Sequence, residues 1–284
     1  MGMYFIFVTG TAGSGKTTLT ASLIDFLTQA GMDVAAANLD PAVERLPYVP
    51  DFDVRQYVDA GEIMRKYGLG PNSSLVAATD MALTKATEIR EEMDKLRANY
   101  VIVDTPGQIE LFAYRNSGRM LLTLLSEDSK SVNLFLLDSF LTKEPRSYLS
   151  LLLLSSSVKF RLNLPQVNLL SKVDLLTPQE LEKITAWSEG EELIDALGIV
   201  DDNSYELASS VIQYASSPPT PVSAIEGKGL GKFTLKFREF SQAERTTTPR
   251  NLTPIYNILL TRFYTNESKG SRCPGLQENN RGCS

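Results

Sequence analysis

Within its first eighteen residues the chain passes from an apolar run, Met3-Tyr4-Phe5-Ile6-Phe7-Val8, through Gly10-Thr11-Ala12-Gly13-Ser14-Gly15-Lys16-Thr17 and into a helical pattern. Nothing else in the sequence restricts the fold as tightly. A strand that turns into a helix through three glycines can gather its backbone N–H groups around one anion. The helix expected over about residues 16–29 points the positive end of its dipole at the same place. The spacing is that of the phosphate loop G-x-x-x-x-G-K-[ST], whose lysine reaches the terminal phosphates and whose hydroxyl ligates a divalent ion. Here those residues are Lys16 and Thr17. Gly10, Ala12, Gly13, Ser14, Gly15, Lys16, Thr17 and Thr18 are therefore candidate nucleotide contacts.

Further apolar runs recur at 34–39, 100–103, 132–137 and 167–170, with a shorter one at 221–224. They do not alternate with polar residues, as expected of strands buried on both faces. Alternation with helical stretches predicts a doubly wound, mostly parallel α/β sheet. One domain is expected over residues 1–264, with helical insertions at about 41–99 and 177–213. In the first, Ala82, Ala86, Ile89, Met93 and Leu96 fall on one face of a helix expected over 73–99. That face either packs on the sheet or forms a seam against a second subunit. In the second, Thr177-Pro178-Gln179-Glu180 is a helix start, 201–204 reads as a turn, and helix resumes near 205. A last amphipathic stretch is expected at 254–264, and the polar residues 265–284 read as a disordered or appended tail.

Composition removes several classes of chemistry. The formal charge is −6 and basic residues do not cluster, which argues against direct nucleic-acid binding. There is no histidine, so the usual general base and the usual metal ligand are missing. Carboxylates, amides, lysine and a bound ion must supply any reactivity. The two cysteines, Cys273 and Cys283, make no disulfide framework and point to a reducing cytoplasm. The run at 3–8 is too short for a signal sequence. The leucine-rich run at 149–154 is too short to span a membrane, and reads as a core helix or as the lining of a client groove.

Three strand ends carry acids. Asp104-Thr105-Pro106-Gly107-Gln108 follows a buried run, and the carboxyl ends of parallel strands are where such sheets bind ligands. Asp104 is placed to hold Mg²⁺ opposite Thr17. Gly107 would offer an N–H to a γ-phosphate, and Gln108 stands where a glutamine can orient attacking water. Ser171-Lys172-Val173-Asp174 ends another run. A single carboxylate can accept from both N1–H and the 2-amino group of guanine, a donor pair adenine lacks. The Lys172 stem can cover a base, and Ser223-Ala224 could offer a backbone N–H to the guanine oxygen. Asp40, in Asn38-Leu39-Asp40-Pro41, would join the Mg²⁺ shell or hold its waters. Gly70-Pro71-Asn72 alone is a turn, with Asn72 capping the helix that follows.

In combination, the phosphate loop at 10–17, Asp40, Gly70-Pro71-Asn72, Asp104 to Gln108 and Ser171 to Asp174 resemble the GPN-loop GTPases, and the compact form looks like their archaeal members. Ser171 stands where this motif more often has Asn or Thr. Thr11 departs from the second lysine of partitioning ATPases. The resemblance implies a GTP-hydrolysing homodimer that uses Mg²⁺ and releases GDP. It also implies that the Gly70-Pro71-Asn72 loop of one subunit reaches the other's nucleotide. Catalytic roles would fall to Lys16, Asp40, Asn72 and Gln108. Eukaryotic relatives assist RNA polymerase assembly, which implies a protein client. Two other readings share the phosphate loop: a kinase of a small acceptor, and a scaffold gated by nucleotide without turnover.

Overall fold

Alternating apolar and helical stretches resolve, in the computed structural model, into the following elements. The structure describes residues 3–126, 129–188, 190–199, 201–214 and 218–231. In chain order these are β1 (Tyr4–Gly10), α1 (Lys16–Gln29), β2 (Val34–Asn38), β3 (Phe52–Asp53), α2 (Ala60–Tyr67), α3 (Pro71–Thr84), α4 (Ala86–Asp94), β4 (Tyr100–Asp104), α5 (Ile109–Ala113) and α6 (Asn116–Ser126). There follow β5 (Lys130–Asp138), α7 (Pro145–Leu162), β6 (Gln166–Ser171), α8 (Pro178–Trp187), α9 (Glu191–Leu197), α10 (Asp202–Tyr214) and β7 (Thr220–Pro221). The strands form one sheet in the order β3-β2-β4-β1-β5-β6-β7, with every pairing parallel. This is the α/β fold expected from the sequence.

Side chains of the central strands alternate between two apolar layers. Ile6, Val8, Ile102, Leu134 and Leu136 pack with Leu19, Leu23 and Leu27 of α1. Phe5, Phe7, Val101, Val103 and Phe135 face the opposite way, toward Ile89, Met93, Phe112, Leu121 and Val158 of the other helices. With both faces covered, strands need apolar residues at every position, which is why the runs lacked alternation. Fully burying a Leu, Ile or Phe contributes about 1.5–3 kcal/mol, so these layers fix the strand ends firmly. The carboxyl ends of β1, β2, β4, β5 and β6 come out on one edge of the sheet.

Several local expectations change. The helix expected over 73–99 is two helices, broken at Lys85, which leaves helical geometry with φ −102° and ψ 9°. Thr84 favours the break: its hydroxyl donates back to the Met81 carbonyl at 2.7 Å. Ala82, Ala86, Ile89 and Met93 nonetheless stay in the core. Strand β3 was not expected, because two residues carry no period. Helix α10 begins at Asp202 rather than near 205, because the Asp201 carboxylate accepts from the Ser204 N–H at 2.8 Å and caps it. The start of α8 follows the expected capping box, with Thr177 and Glu180 each accepting from the other's backbone N–H. The run at 149–154 lies in α7, with Leu151 and Leu152 in the core. The expected stretch at 254–264 and the tail at 265–284 lie outside the described residues. Among the described residues, no helix is long and apolar enough to cross a membrane.

Candidate functional site

The loop from Gly10 to Gly15 is shaped by its glycines. Gly13 and Gly15 have φ of +74° and +94°, in the left-handed region that side chains disfavour. Gly10 has a second constraint: a Cβ there would meet Ser14 Oγ at 2.8 Å and the Leu136 carbonyl at 2.9 Å. Gly15 is also the N-cap of α1 and carries no side chain to close the helix end, leaving the first N–H groups to another acceptor. Ser14 Oγ and Thr11 Oγ1 are buried without a hydrogen-bond partner.

Lys16 is 5% exposed, and its ammonium donates to the carbonyls of Gly10 (3.1 Å), Thr11 (2.8 Å) and Gly107 (2.9 Å). The loop is thereby tied to the residues after β4. Gly107 is held from its other side as well, because its N–H donates to Asp40 Oδ2 at 3.1 Å. Asp40 Oδ1 accepts from the Ala42 N–H at 2.9 Å. Burial pushes the Asp40 pKa up, against the pull of those two N–H groups and of Lys16.

Asp104 ends β4 at the level of Val8 and Asn38 and is 1% exposed. Its Oδ2 accepts from the Tyr48 hydroxyl at 3.2 Å, while Oδ1 is buried without a hydrogen-bond partner. Burial raises the pKa of this carboxylate to about 6. The Thr17 hydroxyl, Tyr48 and Lys16 favour its charge, and the nearby charge of Asp40 opposes it. An orphaned buried carboxylate oxygen with Thr17 and a second carboxylate beside it is a donor set that suits Mg²⁺. That ion takes one or two carboxylates, keeps several waters and accepts phosphate oxygens.

At the other end, Lys172 holds a left-handed conformation (φ +58°) and its ammonium donates to Asp138 Oδ2 at 2.8 Å. Its Cε comes within 3.7 Å of where a Cβ on Gly15 would lie, so the stem runs beside the phosphate loop. Ser171 Oγ donates to the Ser14 carbonyl (2.8 Å) and the Leu137 carbonyl (3.1 Å), which fastens β6 to the same loop. Asp174 Oδ1 accepts from Ser223 Oγ at 2.6 Å. The Ser22 hydroxyl donates to the Ala224 carbonyl at 2.6 Å, anchoring the 223–224 turn on α1.

Gly70 caps α3 with backbone only, Pro71 takes its first turn, and Asn72 stands inside the helix rather than capping it. All three are exposed. The Asn72 side chain accepts from Gln108 Nε2 of the same chain at 3.0 Å, so these two residues, predicted separately, meet. Sequence reasoning missed Tyr48, Asp138 and Asp53. Tyr48 lies between Pro47 and Pro50 in an irregular loop, where its only signal is that a half-buried phenol needs a partner. Asp53 binds Arg55 and accepts from Asn38 Nδ2 at 2.9 Å.

The family model described as a conserved hypothetical ATP binding protein matches residues 8–243. The chain is 33% identical over 238 residues to GPN-loop GTPase 1 of Dictyostelium discoideum, covering 80% of this chain and 59% of that protein. It thus spans about three fifths of that relative's length. It is also 33% identical to GPN-loop GTPase PAB0955 of Pyrococcus abyssi, over 80% of this chain and 91% of the relative. The crystal structure titled as the apo form of that GTPase superposes with a TM-score of 0.73 and 31% identity, covering 84% of this chain and 97% of the other. Sharing sequence and backbone along nearly the whole of the Pyrococcus protein, the chain belongs to the GPN-loop GTPase family.

Proposed function

We propose that the protein binds GTP with Mg²⁺, hydrolyses it to GDP and phosphate, and works as a homodimeric switch on a protein client in the cytoplasm. The observation that carries this reading is the meeting of three strand ends on one sheet edge. The end of β1 gives the phosphate loop, the end of β4 gives Asp104, and the end of β6 leads into Asp174. Relatives named as GTPases support it, while the family model's description speaks of ATP. The base end favours guanine: Ser223 fixes one oxygen of Asp174 and so orients a carboxylate suited to a paired N–H donor.

Lys16, the loop N–H groups and the start of α1 would bind and neutralise the phosphates, which is most of what phosphoryl transfer asks of a protein. Thr17 and Asp104 would hold Mg²⁺, with Asp40 directly or through its waters; when bound, that ion neutralises phosphate charge. Gly107 reads the γ-phosphate. Its N–H is held by Asp40 and its carbonyl by Lys16. A γ-phosphate that accepts from both the Gly107 N–H and Lys16 competes with both tethers. Its arrival moves Gly107, and its loss on hydrolysis restores them. Gln108, the next residue, orients the attacking water and passes the movement to Asn72 through their hydrogen bond. In a dimer, Asn72 then stands where a second subunit's nucleotide can feel it.

Phosphate release with Mg²⁺·GTP and Mg²⁺·ATP, run beside binding titrations of both, tests the reading. Binding of GTP over ATP with release of phosphate supports it. Preference for ATP overturns the guanine assignment, and tight GTP binding without release favours the nucleotide-gated scaffold.

A further inference from the structure

Tyr48 touches the candidate cation site without belonging to any motif in the sequence. It sits in the loop between Asp40 and β3, and that loop is anchored at both ends. At its start, Asp40 is held by the N–H groups of Ala42 and Gly107. At its far end, Arg55 pairs with Asp53 and also donates to the Val43 carbonyl at 3.0 Å, drawing the loop back on itself. Asp51 closes the loop onto β2, accepting from the Ala36 N–H at 2.8 Å through Oδ2. The anchors set Tyr48 half-buried with its hydroxyl on Asp104 Oδ2, while its neighbour Val49 is 90% exposed.

We propose that Tyr48 is a positioning residue for the divalent cation, its hydroxyl occupying Oδ2 of Asp104 and so reserving Oδ1 for the metal. The inference rests on the Mg²⁺-nucleotide reading above. A carboxylate free to rotate offers either oxygen, or both, to a cation. One oxygen held by a fixed donor turns it into a single oriented ligand, and outer partners of this kind typically set 10–100-fold of metal affinity. A phenol suits the role because it donates one hydrogen bond without adding a positive charge that would repel the ion. Asp104 shows the resulting asymmetry, with one oxygen bonded and the other buried and orphaned. Because the loop also begins at Asp40, which holds the Gly107 N–H, Tyr48 links cation binding to the segment that reads the γ-phosphate.

Mn²⁺, followed by electron paramagnetic resonance in the presence of GDP, reports cation affinity without turnover. Fluorescent GDP titrated in EDTA reports nucleotide affinity without the cation. Tyr48→Phe keeps the ring and removes only the hydroxyl. It is expected to weaken Mn²⁺ about tenfold while leaving GDP affinity in EDTA within about twofold. Val49→Ala, at the exposed neighbour, is expected to change neither value. Unchanged Mn²⁺ affinity in Tyr48→Phe overturns the proposal, as does a Mn²⁺ loss matched by an equal loss of GDP affinity in EDTA, which would make the residue a general structural element of the site. Failure of the unmutated protein to bind GDP or Mn²⁺ at all would instead strike the underlying functional reading.

Discussion

The two ends of the candidate site are built on opposite plans. At the phosphate end Lys16 and Asp104 are deeply buried, Asp104 Oδ1 has no hydrogen-bond partner, and burial raises the pKa values of Asp104 and Asp40. At the base end the side chains are already paired, half-buried Lys172 with buried Asp138 and half-buried Asp174 with buried Ser223. One end is costly until a cation and a polyanion arrive. On the proposed reading, the other is arranged to choose among bases. On that reading the difference separates affinity from specificity along the ligand, with binding energy expected at the phosphates and discrimination at the base.

Mutations can break or sharpen that contrast. The largest effect is expected from Lys16→Ala, which removes the charge linking the loop to Gly107; turnover should fall below detection in a phosphate-release assay. Next is Asp174→Ala. It should cost roughly a hundredfold in GTP affinity and little in ATP affinity, since the loss leaves the guanine donors unpaired. Equal losses for both nucleotides would break the contrast.

Asp104→Asn tests the phosphate end through stability. An aspartate raised from 3.8 to about 6 takes up protons on folding between those values, so its contribution to stability falls as pH rises through that window. The shift corresponds to about 3 kcal/mol. Without cation or nucleotide, the Asn variant should match the unmutated protein near pH 4 and exceed it in denaturant melts by up to about 3 kcal/mol at pH 7. It should also lose the stabilisation that Mg²⁺·GDP gives. A destabilised Asn variant at pH 7 would show that the carboxylate is an ordinary structural partner. The smallest effect is expected from Asn72→Ala, which removes the acceptor for Gln108. Turnover should slow about tenfold, with GTP affinity unchanged by titration.

How much of this could be read from the sequence follows from how local each signal is. The phosphate loop was legible because strand, glycines and helix are consecutive, and the sheet was legible because strands covered on both faces show unbroken apolar runs. Asp104 could be located because it follows such a run directly, and Asp174 because the Ser171-Lys172-Val173-Asp174 segment leaves the end of another. Tyr48 and Asp53 were not legible, and Asp138, although it directly follows the run at 132–137, carried no local sign of its partner. The contacts that reveal them lie 56 residues away for Tyr48, 34 for Asp138 and 15 for Asp53, and each depends on loops or strands being brought together by the sheet. The meeting of Asn72 with Gln108, 36 residues apart, is of the same kind: both residues stood out, but not their contact. The break at Lys85 escaped because Ala82, Ala86, Ile89 and Met93 keep helical spacing across it.

The most direct test of the account is isothermal calorimetry of the purified protein with GTP and ATP, each with and without Mg²⁺. The account predicts one GTP per chain, bound more tightly with Mg²⁺, and at least about a hundredfold preference over ATP. No heat with any guanine nucleotide, or equal affinity for the two bases, would contradict it.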